Sequence, residues 1–226
     1  MIRSLAESTL RSLTFRRRLP AKFGRSLIHV SPSCGLRYLR FDIGKVDPTL
    51  FRLAEKYVRP GSVVWDVGAN AGLFTFASAA MAGPAGAVVA FEPDTELVSL
   101  LRRSCLAQPK TAAPVTVFPV ACGKDLEPRT FHLARRSRST NHLDGYGSSE
   151  TGGIRSTQTV MAISLDWAAA RFRRPEILKI DVEGAEMEVL RGSQQLLESV
   201  RPIIICEVSE SNAMEVAGLP LCANDR

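Results

Sequence analysis

Short, continuous apolar runs that alternate with helical segments constrain the fold of this chain most. The runs span residues 62–68, 87–93, 115–122, 158–165, 176–181 and 202–208, and the helical segments span 69–83, 94–108 and 184–200. A strand that is apolar throughout is buried on both faces, which is typical of a parallel sheet covered by helices on each side. The sequence therefore predicts a doubly wound α/β domain with a mostly parallel sheet. Ligands of such sheets bind beyond the carboxyl ends of the strands.

Size and composition fit one globular domain. The chain has 226 residues, of which 45% are hydrophobic and 23% are charged, so it can bury a sizeable core. No apolar stretch approaches the length of a membrane span or of a secretory signal. The five cysteines form no Cys-x-x-Cys pair, which disfavours a zinc site and a disulfide scaffold. We expect a cytoplasmic protein.

Positive charge is concentrated at the start of the chain. Residues 1–40 hold nine Lys and Arg against one acid, Glu7. Such an arm could contact nucleic acid, anionic lipid or an acidic substrate, but aromatic residues are not interleaved among the charges as stacking on bases requires. We expect no nucleic-acid partner and at most a weak contact with a membrane surface. The predicted units are a basic leader, partly ordered at best, over 1–45, a domain over 46–209 with a polar insertion at 123–157, and a short unpatterned tail over 210–226.

A glycine turn follows the first strand, in the sequence Asp66-Val67-Gly68-Ala69-Asn70-Ala71-Gly72. A dinucleotide-binding loop that starts at Gly68 would need glycines at positions 70 and 73, and a P-loop would need Gly-Lys-Ser/Thr. Neither pattern is present. Glu92 ends the next strand, 26 residues after Asp66, where its two oxygens could hold a ribose diol. Acids without a phosphate cradle favour a cationic ligand such as S-adenosylmethionine over a pyrophosphate.

Several segments of the chain resemble the FkbM family of S-adenosylmethionine-dependent methyltransferases. They read DVGANAGLFTF, VVAFEPDTE, ISLD, ILKIDVEGAEMEVLRGSQQLL and PIIICEV, in that order, between about residues 60 and 209. The resemblance implies a Rossmann-like class I methyltransferase fold. It also implies methylation of a hydroxyl on a small molecule, a sugar or a glycolipid-type acceptor.

The resemblance further implies which residues hold the cofactor. The loop on the methionine side matches Asp66, Gly68, Asn70 and Gly72, the ribose binder matches Glu92, and the adenine lies near Ala121 and Cys122. The neighbouring Ala69 and Pro93 complete this predicted cofactor-binding set.

Two features depart from the family pattern. Family members usually continue after the fifth strand with a helix and a β-hairpin, whereas 19 residues follow Glu207 here, and Leu165-Asp166-Trp167 stands where Leu-Asp-Asp is familiar. We therefore expect a sheet that lacks its closing strands and has an exposed edge. Two alternatives to an active methyltransferase stay open. One is a truncated, non-catalytic chain that binds cofactor weakly or not at all, and the other is a nicotinamide-dependent oxidoreductase, which the missing glycines disfavour.

Acids at one strand end are the candidates for catalysis. Transfer of a methyl group to a hydroxyl requires alignment of the acceptor oxygen and removal of its proton. Asp181 is the first candidate for orienting the acceptor or acting as base, Glu183 is the second and His142 the third, with His132 weaker. The alternative for both histidines is a solvated loop position. Glu186 lies within the next helix and more simply stabilises its first turn.

Other charged residues add three expectations. Lys179 precedes Asp181 by two positions and could pair with a neighbouring carboxylate. Asp181 and Glu207 could hold Mg²⁺, but no third ligand has convincing spacing, so a divalent metal is possible but not expected. Arginines in the polar insertion could attract an anionic acceptor, or could lie in a solvated loop. They are Arg135, Arg136, Arg138 and Arg155.

Overall fold

Strands and helices alternate through most of the chain. The computed structural model describes residues 13–147 and 151–207. The strands within these ranges are β1 (Phe15–Arg18), β2 (Leu27–Val30), β3 (Val63–Val67), β4 (Ala87–Phe91), β5 (Val115–Phe118), β6 (Ala121–Cys122), β7 (Glu127–Ala134), β8 (His142–Leu143), β9 (Ile154–Ile163), β10 (Ile177–Ile180) and β11 (Ile203–Cys206). The α-helices are α1 (Pro48–Tyr57), α2 (Leu73–Ala82), α3 (Thr95–Cys105), α4 (Leu165–Ala169), α5 (Glu186–Arg191) and α6 (Gln194–Val200). Short 3₁₀ helices span Ala21–Phe23, Pro32–Cys34, Leu36–Leu39, Ile43–Lys45 and Arg138–Thr140.

A five-stranded parallel sheet forms the centre of the molecule. Its strand order is β11-β10-β3-β4-β5, and each neighbouring pair is parallel. The order reverses between β3 and β10, so this sheet has the switch point at which doubly wound proteins bind ligands. Five of the predicted apolar runs supply these strands.

Side chains of the sheet enter two hydrophobic cores, one on each face. Val64 and Val88 pack into the core that α1, α2 and α3 cover. Trp65 and Val89 pack into the opposite core with residues of α4, α5 and α6. Because both faces are buried, every position of these strands must be apolar, which is why the runs are continuous. The predicted doubly wound, Rossmann-like α/β fold is confirmed.

A second, four-stranded sheet of order β6-β9-β7-β8 includes parts of the region predicted as a polar insertion. In this sheet β9 runs parallel to β6 and antiparallel to β7, and β7 pairs antiparallel with β8. The polar insertion therefore contains regular structure: β7 lies wholly within residues 123–157, and β9 begins there at Ile154 and continues through the predicted apolar run at 158–165. One face of this sheet is largely solvated, so polar residues interrupt its strands and give the segment the composition of a loop.

Residues 13–45 pack onto the core on the side of α1 to α3. Strands β1 and β2 form an antiparallel hairpin, and buried residues here include Leu19, Phe23 and Ile28. The ring of Phe23 lies 5.3 Å from that of Phe51 in α1. This part of the expected leader is therefore ordered and belongs to the body of the protein, although the predicted domain boundaries themselves remain predictions.

The predicted helix over 184–200 is divided into α5 and α6 at Gly192. A Cβ atom at Gly192 would lie 2.1 Å from the Gly123 carbonyl oxygen, so the backbones approach too closely there for any other residue. Asp166 then caps α6, because its carboxylate accepts from the N–H groups of Gln195 and Leu196 at 3.1 and 2.8 Å. The Asp166 of the divergent Leu-Asp-Trp sequence thus stabilises a helix start.

Within the two described ranges, no helix is long and apolar enough to cross a membrane. The tail predicted over 210–226, and with it the expected absence of closing strands, lies outside the described residues.

Candidate functional site

A buried lysine pairs with two aspartates at the carboxyl ends of β3 and β10. Lys179 is the direct neighbour of Asp66 in the parallel register, and its Nζ lies 3.1 Å from carboxylate oxygens of both Asp66 and Asp181. Burial by itself would lower the pKa of Lys179, but the charges of Asp181 and Asp66 outweigh it and raise that pKa above its ordinary value. The predicted pairing of Lys179 with a neighbouring carboxylate is confirmed.

Asp66 is buried behind the glycine turn. It lines neither of the two cavities at this edge of the sheet. Its carboxylate is fully buried and accepts a hydrogen bond from the Thr75 hydroxyl at 2.5 Å. Lys179 in turn donates to the Gly68 carbonyl oxygen at 2.9 Å. Asp66 therefore stabilises the turn indirectly, through Thr75 at the start of α2 and through Lys179, which contacts Gly68.

Backbone contacts at the glycine turn bring two strand ends together. Gly68 has a φ of +77°, and a Cβ atom there would lie 1.9 Å from the Asp181 carbonyl oxygen. Asn70 also has a positive φ of 51°. Its side-chain oxygen is buried and lacks a hydrogen-bond partner among the described residues, so it is available to a ligand. Gly72 faces Phe76 and Leu101 and permits close packing of α2.

Glu92 is a buried carboxylate held by two backbone donors. Its oxygens accept from the N–H groups of Asn70 at 2.8 Å and Asp94 at 2.9 Å. Burial raises the pKa of Glu92 to about 7, although both hydrogen bonds act in the opposite direction. Each carboxylate oxygen still has a lone pair for a hydroxyl group of a ligand.

The first cavity follows the ends of β3, β4 and β10 and the inner face of the second sheet. Six predicted cofactor residues line it, namely Gly68, Asn70, Glu92, Pro93, Ala121 and Cys122. Phe131 and Leu143, which face each other across β7 and β8, add an apolar wall. A buried acid beside apolar walls suits a ligand with a polar sugar and an aromatic base.

A buried arginine ties the second sheet to this cavity. Arg138 forms ion pairs with Asp94 and, at 2.6 Å, with Glu96. Asn141 donates to the Asp94 carboxylate at 2.7 Å and accepts from the Ala134 N–H at 2.8 Å. Arg138 thus closes one side of the first cavity and has no free charge for an acceptor. No local pattern in the sequence signalled these long-range partners of Asp94.

The second cavity adjoins the first. Asn70, Ser139, Asp181 and Glu183 line both, so the two spaces meet at the ends of β3 and β10. The remaining lining includes Ala69, Lys179 and Glu207, together with Arg37, Tyr38, Asp47 and Leu50. The last four come from the part of the chain before β3, which we had not connected with the site.

Carboxylates dominate the second cavity. Asp47, Asp181, Glu183 and Glu207 face the cations Arg37 and Lys179. The charge of Asp181 and partial burial raise the pKa of Glu207 above its ordinary value, whereas Lys179 lowers it. Glu183 has a φ of +57°, at a sharp turn completed by Gly184.

The structure separates the remaining candidates from this cluster. Glu186 begins α5, and its carboxylate accepts from the N–H groups of Val182 at 3.3 Å and Gly184 at 3.0 Å, so it holds the turn between β10 and this helix. His142 lines neither cavity. It pairs with His132 on the face of β7 and β8 opposite to Phe131 and Leu143, with 5.3 Å between the imidazole rings. His142 is nevertheless buried, unlike a solvated loop residue.

The described residues include no group of three or more His, Cys, Asp or Glu side chains arranged to hold a metal ion. Asp181 and Glu207 do lie near each other, as expected from adjacent strands.

The fold and the site together define a class of protein, namely doubly wound α/β proteins with a cleft at the switch point of the sheet. The particular family follows from sequence comparison, because residues 66–220 match the model of the methyltransferase FkbM domain. The chain therefore belongs to the FkbM methyltransferase family, which confirms the resemblance.

One curated relative is the hexuronic acid methyltransferase AglP of Haloferax volcanii. It is 28% identical over 158 residues, which cover 69% of this chain and 60% of the relative. The chain thus matches somewhat less than two thirds of that protein's length.

Two solved structures are also similar. The methyltransferase FkbM from Methylobacillus flagellatus aligns with a TM-score of 0.40 and 16% identity, over 69% of this chain and 39% of that chain. The C-terminal domain of precorrin-6Y C5,15-methyltransferase from Rhodobacter capsulatus aligns with a TM-score of 0.40 and 14% identity, over 73% of this chain and 64% of that chain.

Proposed function

We propose that this chain is an S-adenosylmethionine-dependent O-methyltransferase that methylates a hydroxyl group of a carbohydrate. The observation that carries the proposal is the junction of two cavities at Asn70, Asp181 and Glu183. The first cavity fits a nucleoside-bearing cofactor and the second has the hydrogen-bond acceptors that a polyhydroxylated substrate requires.

The first cavity fits S-adenosylmethionine on three counts. Glu92 offers a buried carboxylate for the ribose hydroxyls, Phe131 and Leu143 offer apolar surface for adenine, and the orphaned oxygen of Asn70 offers an acceptor for the amino-acid part. When bound, the cofactor supplies a methyl group that is already activated as a sulfonium. The protein then has to align the acceptor and dispose of its proton.

Asp181 is the residue that we assign to the acceptor hydroxyl. Its side chain is 28% exposed and borders both cavities. Lys179 holds one Asp181 oxygen at 3.1 Å, which fixes the carboxylate while its free lone pairs accept a hydrogen bond from the hydroxyl. Glu183 is close enough to the junction to assist. His142 has no role in this proposal, because it lies on the opposite face of the second sheet.

Calorimetric titration with S-adenosylhomocysteine tests the cofactor part of the proposal. Well-folded protein should bind it, and Glu92→Ala should lose most of the affinity. Absence of binding by a protein with a cooperative melt would contradict the proposal.

Asp181→Asn tests the catalytic part. We expect kcat to fall by about 10²–10⁴-fold, the usual contribution of a positioned base, with little change in affinity for S-adenosylhomocysteine. The matched control is Asp144→Asn, which alters an exposed aspartate paired with His132 and should leave kcat unchanged. An equal loss of kcat in both variants would show that Asp181 does not act on the acceptor hydroxyl.

The acceptor class can be tested with matched sugars. Neutral hydroxyls would meet the four carboxylates of the second cavity, whereas the carboxylate of a hexuronic acid would meet Arg37. A neutral hexose and the corresponding hexuronic acid should be compared on wild type and Arg37→Met. If Arg37→Met loses activity on the hexuronic acid but keeps it on the neutral hexose, Arg37 is the anion-binding group.

A further inference from the structure

A turn formed by residues 36–41, with the sequence Leu-Arg-Tyr-Leu-Arg-Phe, exposes an unusual amount of apolar surface. Leu36 is 75% exposed, Leu39 is 42% exposed and Phe41 is fully exposed. Single exposed apolar residues are common, but three within six positions form a patch of the kind that marks an interaction surface.

The side chains of this turn point in three directions. Leu36–Leu39 is a 3₁₀ helix, in which residues three positions apart lie above one another. Leu36 and Leu39 therefore share one side, and Arg37 and Arg40 share the next. Tyr38 points into the core and is 2% exposed. The turn is thus amphipathic, with an apolar side next to a cationic side.

The turn is held firmly, so its exposed side chains are presented by a fixed backbone. The Tyr38 N–H donates to the Gly35 carbonyl oxygen at 3.0 Å, and the Arg40 N–H donates to that of Arg37 at 3.1 Å. The Arg40 guanidinium donates to the Lys45 carbonyl oxygen at 3.0 Å. These bonds fix the backbone that carries the exposed apolar side chains.

The segment of the chain that contains the turn is strongly basic. Residues 13–45 contain eight Lys and Arg against one acid, Asp42. The Arg17 side chain donates to the Tyr38 carbonyl oxygen at 3.3 Å, which brings the basic strand β1 beside the turn. Apolar side chains among cations complement an anionic lipid surface, where the former enter the boundary of the acyl chains and the latter approach the headgroups.

We propose that residues 36–41 dock this protein on an anionic membrane surface, with Leu36, Leu39 and Phe41 entering the lipid. A nucleic acid would also attract the cations, and Phe41 could stack on its bases, but burial of the exposed Leu36 and Leu39 side chains requires an apolar phase that a nucleic acid does not offer. Arg37 and Tyr38 also line the second cavity, so docking would place that cavity at the lipid surface. The corollary that the acceptor hydroxyl belongs to a lipid headgroup rests on the proposed function.

Co-sedimentation with vesicles, without cofactor or acceptor, tests the docking independently of methyl transfer. The full chain should bind vesicles of phosphatidylcholine and phosphatidylserine, bind phosphatidylcholine alone at least tenfold more weakly, and lose affinity as salt is added. The double variant Leu39→Ser/Phe41→Ser should reduce binding to the mixed vesicles at least tenfold, and Arg40→Gln should reduce it by a smaller factor.

Leu106→Ser is the matched control, because Leu106 is 89% exposed but lies at the end of α3. It should bind mixed vesicles like wild type, and thermal melts should show that all variants are folded. The proposal is overturned if wild type does not bind mixed vesicles, or if the double variant binds as well as Leu106→Ser. It is also overturned if the double variant converts a dimer into a monomer without changing vesicle binding, since the patch would then face a second copy of the chain.

Discussion

At the scale of single residues, this site depends on charges that are buried and individually satisfied. Glu92 accepts two backbone hydrogen bonds, and Lys179 forms ion pairs with two aspartates. Charges in such positions cost free energy unless they are paired, so each makes a measurable contribution to pH dependence or to stability.

Glu92 should make the protein less stable as the pH rises. Its pKa is about 7 in the folded state against 4.5 for an exposed glutamate, so between these values the folded state retains a proton that the unfolded state has lost. The free energy of unfolding should therefore fall by about 3 kcal/mol from pH 4.5 to pH 7 on account of this group. Urea unfolding of wild type and Glu92→Gln across this range checks the effect, since the variant should lack this part of the slope. Identical slopes would show that the pKa of Glu92 is the same in the folded and unfolded states.

Removal of Lys179 should be far more damaging than removal of an exposed lysine. Lys179→Met leaves Asp66 and Asp181 without their cation, and breaking a buried pair costs about 3–5 kcal/mol. Lys22→Met breaks a pair with Glu55 in which both side chains are about half exposed, and it should cost at most about 1 kcal/mol. Urea unfolding at neutral pH compares the two, and similar costs would mean that water reaches the buried pair.

At the scale of elements, the turn between β3 and α2 depends on how closely two backbones approach. Gly68 has the left-handed φ that favours glycine, and its Cα lies against the carbonyl group of Asp181. The same contact joins the cofactor loop to the strand that carries the proposed catalytic acid, so the two halves of the site are positioned by one junction.

Two glycine-to-alanine changes separate conformational strain from steric conflict. Gly61 has a φ of +90° with nothing near its missing Cβ, whereas a Cβ at Gly68 would lie 1.9 Å from a backbone oxygen. Gly61→Ala should cost about 1–2 kcal/mol through its φ alone, and Gly68→Ala about 1–3 kcal/mol more. Gly68→Ala should also weaken binding of S-adenosylhomocysteine, as measured by calorimetry. Equal stability and equal affinity would contradict the close approach.

At the scale of the whole molecule, residues 13–45 form one body with the sheet. They supply part of the core beside α1 to α3, and the segment from Arg37 to Leu50 provides a wall of the second cavity. Stability and acceptor binding should therefore respond to this segment.

Phe23→Ala tests whether residues 13–45 unfold together with the sheet. The ring is fully buried against Phe51, so its loss should cost about 3–5 kcal/mol and lower the midpoint of a single unfolding transition. Phe41→Ala, in the same segment but fully exposed, should stay within about 0.5 kcal/mol of wild type. An unchanged main transition in Phe23→Ala would show that the segment unfolds separately.

The sequence by itself determined the parallel sheet and most of the residues at its strand ends. Continuous apolar runs leave few alternatives to strands buried on both faces, and the topology then brings Gly68, Glu92 and Asp181 to one edge. The spacing of two residues was also sufficient to predict that Lys179 pairs with Asp181, because residues two apart in a strand share a face.

Only the tertiary structure decided what surrounds those residues. Strand β7 has one solvated face and therefore lacks the continuous apolar pattern of a buried strand. Its pairing with β8 turned His142 away from the site and Leu143 toward it, because neighbouring residues in a strand point to opposite faces. The partners of Arg138, and the wall supplied by Arg37 and Asp47, lie far from the site in the sequence. Such contacts depend on how separate elements pack, which no local pattern of residues encodes.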